Sequence, residues 1–289
     1  MSNTIELAKS FVPKLDECYR LASLTSVLDG APELAKQGAN ANELIIPMMS
    51  MDGLADYSRN GGYVQGGVTM TNETVKCNFD RGRRFDVDVM DDLETAGLAF
   101  GRLSAQFIRD KVVPELDAFR FASYCGISGV TKKEETLADG AATVAALSAA
   151  VTAMDDEEVT ATGRYLFITP TLLQGINDMD TTKSKKVLEG FEQVIKVPQR
   201  RFYTAIKQLS GKTGEEAGGY TKATGAANIN FAIVQKDALI QYTKHAAPKI
   251  IAPENNPDAD AYVFGYRMVG IAKACLLYTS PSPRDTERS

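Results

Sequence analysis

The sequence predicts an α+β fold with an arm that has no core of its own. Three observations carry this. A glycine-rich, mixed-charge stretch over 43–88 has strand-like ends but too few apolar residues to bury anything privately. A long helical repeat of apolar residues follows it. From 141 onward helix-like and strand-like segments alternate, and two strand-like segments close the chain.

Residues 1–42 read as a short helix around Ile5, Leu7, Ala8 and Phe11, then a loose arm broken by Gly30, Pro32 and Gly38. Residues 43–88 read as a twisted ribbon. Its first strand is Glu43–Pro47, its second Thr74–Asp88, and Gly61-Gly62 and Gly66-Gly67 mark bends between them. Isolated two-stranded ribbons are marginal in water. A ribbon this polar must dock on something, and the sequence gives it nothing of its own to dock on. That points to partners on other chains.

Over 89–125 Leu93, Gly97, Phe100, Leu103 and Phe107 recur at spacings of three and four, with Asp91 and Asp92 suited to the positive end of the helix dipole. Pro114 predicts a kink or restart inside that helix. Residues 127–140 are a polar connector, and Ala141–Met154 an alanine-rich helix. Arg164–Thr169 predicts a buried central strand ended by Pro170; helices are expected over Thr171–Asp178 and Ser184–Gln193. Val194–Ile206 and Asn230–Val234 read as strands around a Gly/Lys/Thr-rich loop at Ser210–Ala227. Lys236–Tyr242 reads as a short helix, and Lys249–Pro253 and Ala261–Ala272 as closing strands. The domain division expected is an arm (1–42), a ribbon (43–88), a helix-bearing unit (89–140), an α/β unit (141–245) and return strands (246–274).

From Cys275 the chain reads CLLYTSPSPRD, which looks like the translation of a sequencing-library adapter. Residues 275–289 are expected to be read-through, with the native frame ending near Ala274.

Composition excludes several function classes. A net charge of −5 gives no basic patch for gripping nucleic acid. The four cysteines have no CxxC spacing. No signal peptide or membrane span is visible, so a cytosolic site of synthesis is expected. His245 is the single histidine, with no nucleophile motif to serve. NGGYVQGG lacks the lysine and following helix of a phosphate loop. Asp86 and Asp88 alternate along a strand while Asp91 and Asp92 start a helix, so they read as solvated strand and cap, not as a metal cluster. No cofactor is expected.

Taken in order, YRLASLTSVL, IIPMMSMDGLADYSRNGGYVQGGV, FDRGRRFDVDVMDDLET, FIRDKVVPELDAFRFAS, GRYLFITPTLL, VPQRRFY and NFAIVQKDALIQYTKHAAPKIIAPENNPDADAYVFGYRMVGIA resemble the major capsid proteins of tailed bacteriophages, which share the Hong Kong 97-type fold. The likeness runs from about Leu7 to Ala272. It implies an N-terminal arm, an extended β-hairpin (the E-loop), a peripheral domain with a long spine helix, and an axial α/β domain. The function implied is structural: copies form hexamers and pentamers and close into an icosahedral shell around double-stranded DNA, held without sequence-specific binding. A portal protein at one vertex and assembly in the host bacterial cytoplasm come with it. There is no long extension ahead of the arm, so a separate scaffolding protein is expected.

The resemblance also turns the charges into candidate inter-subunit contacts along the loop and spine: Arg59, Tyr63, Asp80, Arg81, Arg83, Arg84, Asp86, Asp88 and Glu94, with Pro114 as a possible hinge. Exposed ion pairs are worth at most about 1 kcal/mol each, but repeated across subunits they can set register. Lys76 is the arm lysine to consider for covalent crosslinking, though no partner for it is visible. Two alternatives stay open: an encapsulin-like nanocompartment shell, and a soluble α/β enzyme.

Overall fold

The computed structural model describes residues 23–30, 36–37, 43–59, 61–90, 98–127 and 130–274. Most of the expected N-terminal arm, the helix start with Asp91, Asp92 and Glu94, and the tail after Ala274 lie outside these.

Strands β2 (Glu43–Met51) and β3 (Val68–Lys76) form a long antiparallel hairpin, from Glu43 opposite Lys76 to Met51 opposite Val68. The two-residue β1 (Lys36–Gln37) pairs with β2 and makes a narrow sheet of order β1-β2-β3. The ribbon expected over 43–88 is therefore shorter. Its second half breaks at Cys77-Asn78, and β4 (Phe79–Asp88) leaves the hairpin for a different sheet. The reason is register. Side chains alternate across a strand, and Phe79 is 3% exposed in the core beneath that second sheet.

That sheet has the order β10-β11-β4, all antiparallel, with β10 (Leu239–Ile251) and β11 (Ala261–Ala274) as its long members. The short helix expected over Lys236–Tyr242 is only one 3₁₀ turn, Lys236–Ala238; from Leu239 the chain is already strand. A ladder running from Leu239–Ala274 to Ile251–Val263 outweighs the weak local helical spacing there. Gly82 permits the close approach of β4 to β11, since a Cβ at that position would lie 2.8 Å from the Tyr266 carbonyl oxygen.

A continuous helical rod crosses this sheet. It comprises α1 (Leu98–Phe107), a wider π turn at Ile108–Val112 and α2 (Val113–Gly126). The expected irregularity at Pro114 is present and has a local cause. Proline offers no N–H and its ring crowds the carbonyl four residues back. The chain answers with one wide turn just upstream, in which Val113 N donates to Ile108 O. Phe107 stacks edge-on to Phe85 at 4.8 Å between centroids, and Phe79 meets Phe119 at 5.0 Å. These rings, with Ile108, Leu116, Phe264, Tyr266 and Met268, join rod to sheet.

The α/β unit is centred on β5 (Arg164–Ile168), whose five residues are all buried. It pairs in parallel with β6 (Gln193–Lys196) and antiparallel with β9 (Phe231–Gln235). Tyr165 and Phe167 point into a core shared with Leu28, Phe121 and Phe202; Leu166 and Ile168 point the other way, onto Val144, Leu147, Leu173 and Ile176. A strand covered on both faces reads as an unbroken apolar run, which is why RYLFI was legible. The covering helices are α3 (Gly140–Asp156), α4 (Pro170–Asp178) and α5 (Thr182–Glu189). Asp139 caps α3 by accepting from Ala142 N at 2.7 Å. Gly140 sits against Gly175, where a Cβ would fall 2.2 Å from a carbonyl oxygen. The strand expected over Val194–Ile206 is divided into β6 and the short β7 (Ile206–Gln208), because Pro198 opens a 3₁₀ turn at Gln199–Arg201. β7 pairs with β8 (Tyr220–Lys222) across the glycine-rich loop.

Candidate assembly interface

The hairpin carries a concentration of unburied apolar surface. Of the ten large hydrophobic side chains that are exposed among the described residues, eight belong to it: Met49, Met51, Leu54, Tyr57, Tyr63, Val64, Val68 and Met70. Val75, near its base, is the one side chain of β3 tucked into the body among those described, at 4% exposure. The outer end is shaped locally. Asp52 closes it by donating its N–H to Gly67 O at 3.1 Å and accepting from Gly67 N at 2.6 Å. Ser58 and Gly62 form a tight bridge, with Gly62 at φ +74, a conformation that favours glycine. Tyr57 and Tyr63 pack ring against ring at 4.9 Å. Burying one such side chain fully is worth roughly 1.5–3 kcal/mol. An apolar patch of this kind marks a contact surface.

The charged array on β4 behaves differently. Arg81 turns inward and ties three elements together. Its Nε donates to Glu115 Oε1 on α2 at 2.8 Å, and its Nη2 donates to the carbonyls of Leu209 and Gly219 on either side of the β7–β8 loop, at 2.8 and 3.2 Å. Arg83 donates to Glu216 O of the same loop at 2.8 Å. Burial pushes the Glu115 carboxyl up, and Arg81 and Gln208 pull it back only partly. Asp80 accepts two hydrogen bonds from Arg267 on β11, at 2.8 and 2.6 Å. Arg84 and Asp86 pair along the exposed face at 2.8 Å, and Asp88 accepts from Met90 N at 2.8 Å.

Behind these lies a buried polar junction. Asp117 on α2 is fully buried and accepts hydrogen bonds from Ser23 Oγ (2.9 Å), Leu24 N (3.1 Å), Thr25 N (3.3 Å), Thr25 Oγ1 (2.7 Å) and Arg201 Nη1 (3.2 Å). One turn on, Arg120 donates to Thr25 Oγ1, to Asp29 Oδ1 and to Thr243 Oγ1 on β10. Gln241 of β10 donates to Thr25 O and Asp29 Oδ1 and accepts from Tyr124 Oη. Four parts of the chain therefore meet at one network: residues 23–30, α2, β10 and the α/β unit through Arg201. The network is satisfied at Asp117 and Arg120, as a buried charge requires, while Arg201 Nε is buried without a hydrogen-bond partner.

No protein-family model matches the chain, and no curated protein matches it in sequence. Solved structures do match in shape. The mature capsid of bacteriophage PhiM1 superposes with a TM-score of 0.52 at 9% identity, over 81% of this chain and 79% of that one. The capsid of Staphylococcus phage Andhra gives 0.51 at 11% identity, over 84% and 80%. A virus-like particle from Pyrococcus furiosus gives 0.50 at 10% identity, over 89% and 94%. This is the phage capsid fold.

On that capsid fold the nine sequence-predicted contact residues fall into three groups, with Pro114 and Lys76 apart from them. Arg59 and Tyr63 stand exposed at the hairpin's outer end, Tyr63 at 90% exposure. Asp80, Arg81, Arg83, Arg84, Asp86 and Asp88 lie together on β4, within the body, and the contacts described for them are intrachain. Glu94 is outside the described residues. Pro114 is buried at the start of α2, next to the π turn. Lys76 ends β3 and is exposed. Sequence reasoning missed the junction. Its signal was present: Glu115, Asp117 and Arg120 interrupt VVPELDAFRFAS on a helix whose apolar residues leave no clear polar side.

Proposed function

We propose that this chain is the major capsid protein of a tailed bacteriophage, a structural subunit whose copies form hexamers and pentamers and close into an icosahedral head around double-stranded DNA. The observation that carries the reading is the hairpin. In a chain with a phage capsid fold, it projects eight large apolar side chains that its own subunit leaves exposed. In this reading β2–β3 is the extended loop laid over a neighbouring subunit. The α1–α2 rod is the spine helix of the peripheral domain, and the unit around β5 is the axial domain. Arg59 and Tyr63 at the hairpin's outer end, with Arg84 and Asp86 on β4, are the contacts offered to neighbours. The work is mechanical rather than catalytic. The mature location is the virion, reached by assembly in the host bacterium, with a separate scaffolding protein and a portal at one vertex as partners. The fold alone would also serve an encapsulin-like compartment shell; DNA as the content is what separates the two.

The test is direct. Purified chain viewed by negative-stain microscopy should give closed shells or curved sheets, with or without added scaffold. The double variant Met51→Glu, Val68→Glu places two carboxylates opposite one another at a rung where both side chains are 68% exposed. It should abolish assembly while costing the subunit no more than about 1 kcal/mol, the scale of like charges set opposite one another on paired strands. A compact monomer at every concentration in the unaltered chain sinks the reading. Shells that copurify with an enzyme instead of accepting DNA would move it to a compartment.

A further inference from the structure

The break between hairpin and body has a specific construction. The β4–β11 ladder ends with Phe79 opposite Gly270. Carried two residues further, that register would set Cys77 opposite Ala272. The main chain does not supply that rung, because it has already turned out toward β3. The side chain of Asn78 supplies it: Nδ2 donates to Ala272 O at 2.9 Å, and Ala272 N donates to Oδ1 at 3.1 Å. The carboxamide presents one donor and one acceptor side by side, as a peptide group does. It caps the β4 side of β11 while the backbone departs. On its other side Ala272 lies opposite Gln241 of β10, so this point is held within the sheet. Three residues before Asn78, near the end of β3, Val75 packs on Ile271, with Cys77, Ile240 and Tyr242 around them.

We propose that Asn78 is the positioning residue of the hairpin: its amide pair with Ala272 fixes the direction in which β2–β3 leaves the body, and so the angle at which one subunit reaches the next. The inference rests on the capsid reading for its second half only. Asparagine is chemically singled out here. Aspartate accepts but cannot donate, and it would set a carboxylate against the Ala272 carbonyl. Glutamine keeps the amide but stands one methylene too far. Alanine offers neither group. At this strand the described residues also join hairpin to body through the small apolar cluster of Val75 and Ile271 with Cys77, Ile240 and Tyr242, and each part keeps its own strand pairing when the amide pair is lost.

The experiment compares unaltered chain with Asn78→Asp, Asn78→Ala and Asn78→Gln. In unassembled subunits, amide hydrogen exchange at Ala272 and along 68–76 should rise about tenfold in the Asp and Ala variants, the effect of removing about one hydrogen bond's net stabilisation. Leu166, in the α/β core, should keep its protection, and Gln should fall between. In assembly, Asp and Ala variants should give shells of scattered diameter or unclosed sheets where the unaltered chain gives one size. Unchanged Ala272 exchange overturns the proposal. Faster exchange with shells of normal, uniform diameter also overturns it, since the anchor would then not govern angle. Failure of the unaltered chain to assemble counts against the capsid reading, and the exchange data still decide the anchor.

Discussion

Replacing Asp117 with alanine should loosen the subunit more than any change on its surface. The carboxylate is fully buried and receives five hydrogen bonds, four of them from Ser23, Leu24 and Thr25 and one from Arg201. Each stranded buried donor costs roughly 1–3 kcal/mol. These costs do not add, because Ser23 and Thr25 can turn to other acceptors and water can enter the space. Arg201, 13% exposed at its side chain, loses its counter-charge, and removing one partner of a buried pair typically costs about 3–5 kcal/mol. About 4 kcal/mol is the figure to expect. For a chain of this class, 1 kcal/mol moves Tm by about 2–4 °C, so the midpoint should fall by roughly 8–16 °C. Calorimetry on unassembled subunits measures it. Hydrogen exchange locates it, since Leu24 N and Thr25 N are direct donors to the carboxylate and should lose protection first. A loss below about 1 kcal/mol, with those two amides still protected, would refute the view that this junction ties residues 23–30 to the rod.

Two further outcomes follow from the rod. The Glu115 carboxyl is raised, chiefly by burial. A raised acid binds its proton more tightly when folded, so its favourable contribution is present at low pH and lost as pH climbs through its folded range. Glu115→Gln should therefore be the more stable form at pH 7, by no more than about 1 kcal/mol, and its advantage should shrink as pH falls through the carboxylate range and Glu115 takes up its proton. Urea midpoints at pH 7 and within the carboxylate range check this; a less stable Gln variant at pH 7 would mean that Arg81, not burial, dominates. Pro114→Ala should let the π turn at Ile108–Val112 relax to regular helix and recover up to about 3 kcal/mol of helix stability. If Pro114 is the hinge, shells of this variant assemble but expand more slowly or less completely; unchanged expansion, followed by small-angle scattering, removes it from that role.

How much was legible depended on whether the deciding contact was local. RYLFI announced β5 because five consecutive buried residues leave a continuous apolar run, and Pro170 marked where the next helix begins. Pro114 announced a helical irregularity because proline acts on its own backbone. The β3–β4 break was not legible. TVKCNFDRG alternates passably throughout, and only the pairing of Phe79 with Gly270, nearly two hundred positions away, takes β4 out of the hairpin. The β4 charges shared that fate: on a ribbon they would face partners, whereas in the body sheet Arg81 points at Glu115 and the β7–β8 loop. At Leu239 the same thing happened in miniature, with a thirteen-residue strand overriding a few helix-like spacings. Asp117 and Arg120 stand in sequence on a helix with no clear polar side, which signals that they are buried but not what they meet. What hides them is a segment ninety residues upstream whose serine and threonine hydroxyls happen to match.

The grip of β4 on the β7–β8 loop has a consequence for how this protein can diversify. Arg81 and Arg83 hold that loop through the carbonyls of Leu209, Glu216 and Gly219, atoms every amino acid possesses. The clasp therefore reads the path of the loop and ignores most of its letters. Gly218 is constrained, at φ +63 with an Arg83 nitrogen where a side chain would begin, but exposed positions such as Thr213 and Ala217 carry no such duty. Substitutions can accumulate there without disturbing the joint between sheet and α/β unit. Changes at those two positions should therefore leave the Arg81 and Arg83 bonds, and with them the seat of the loop on β4, as they are.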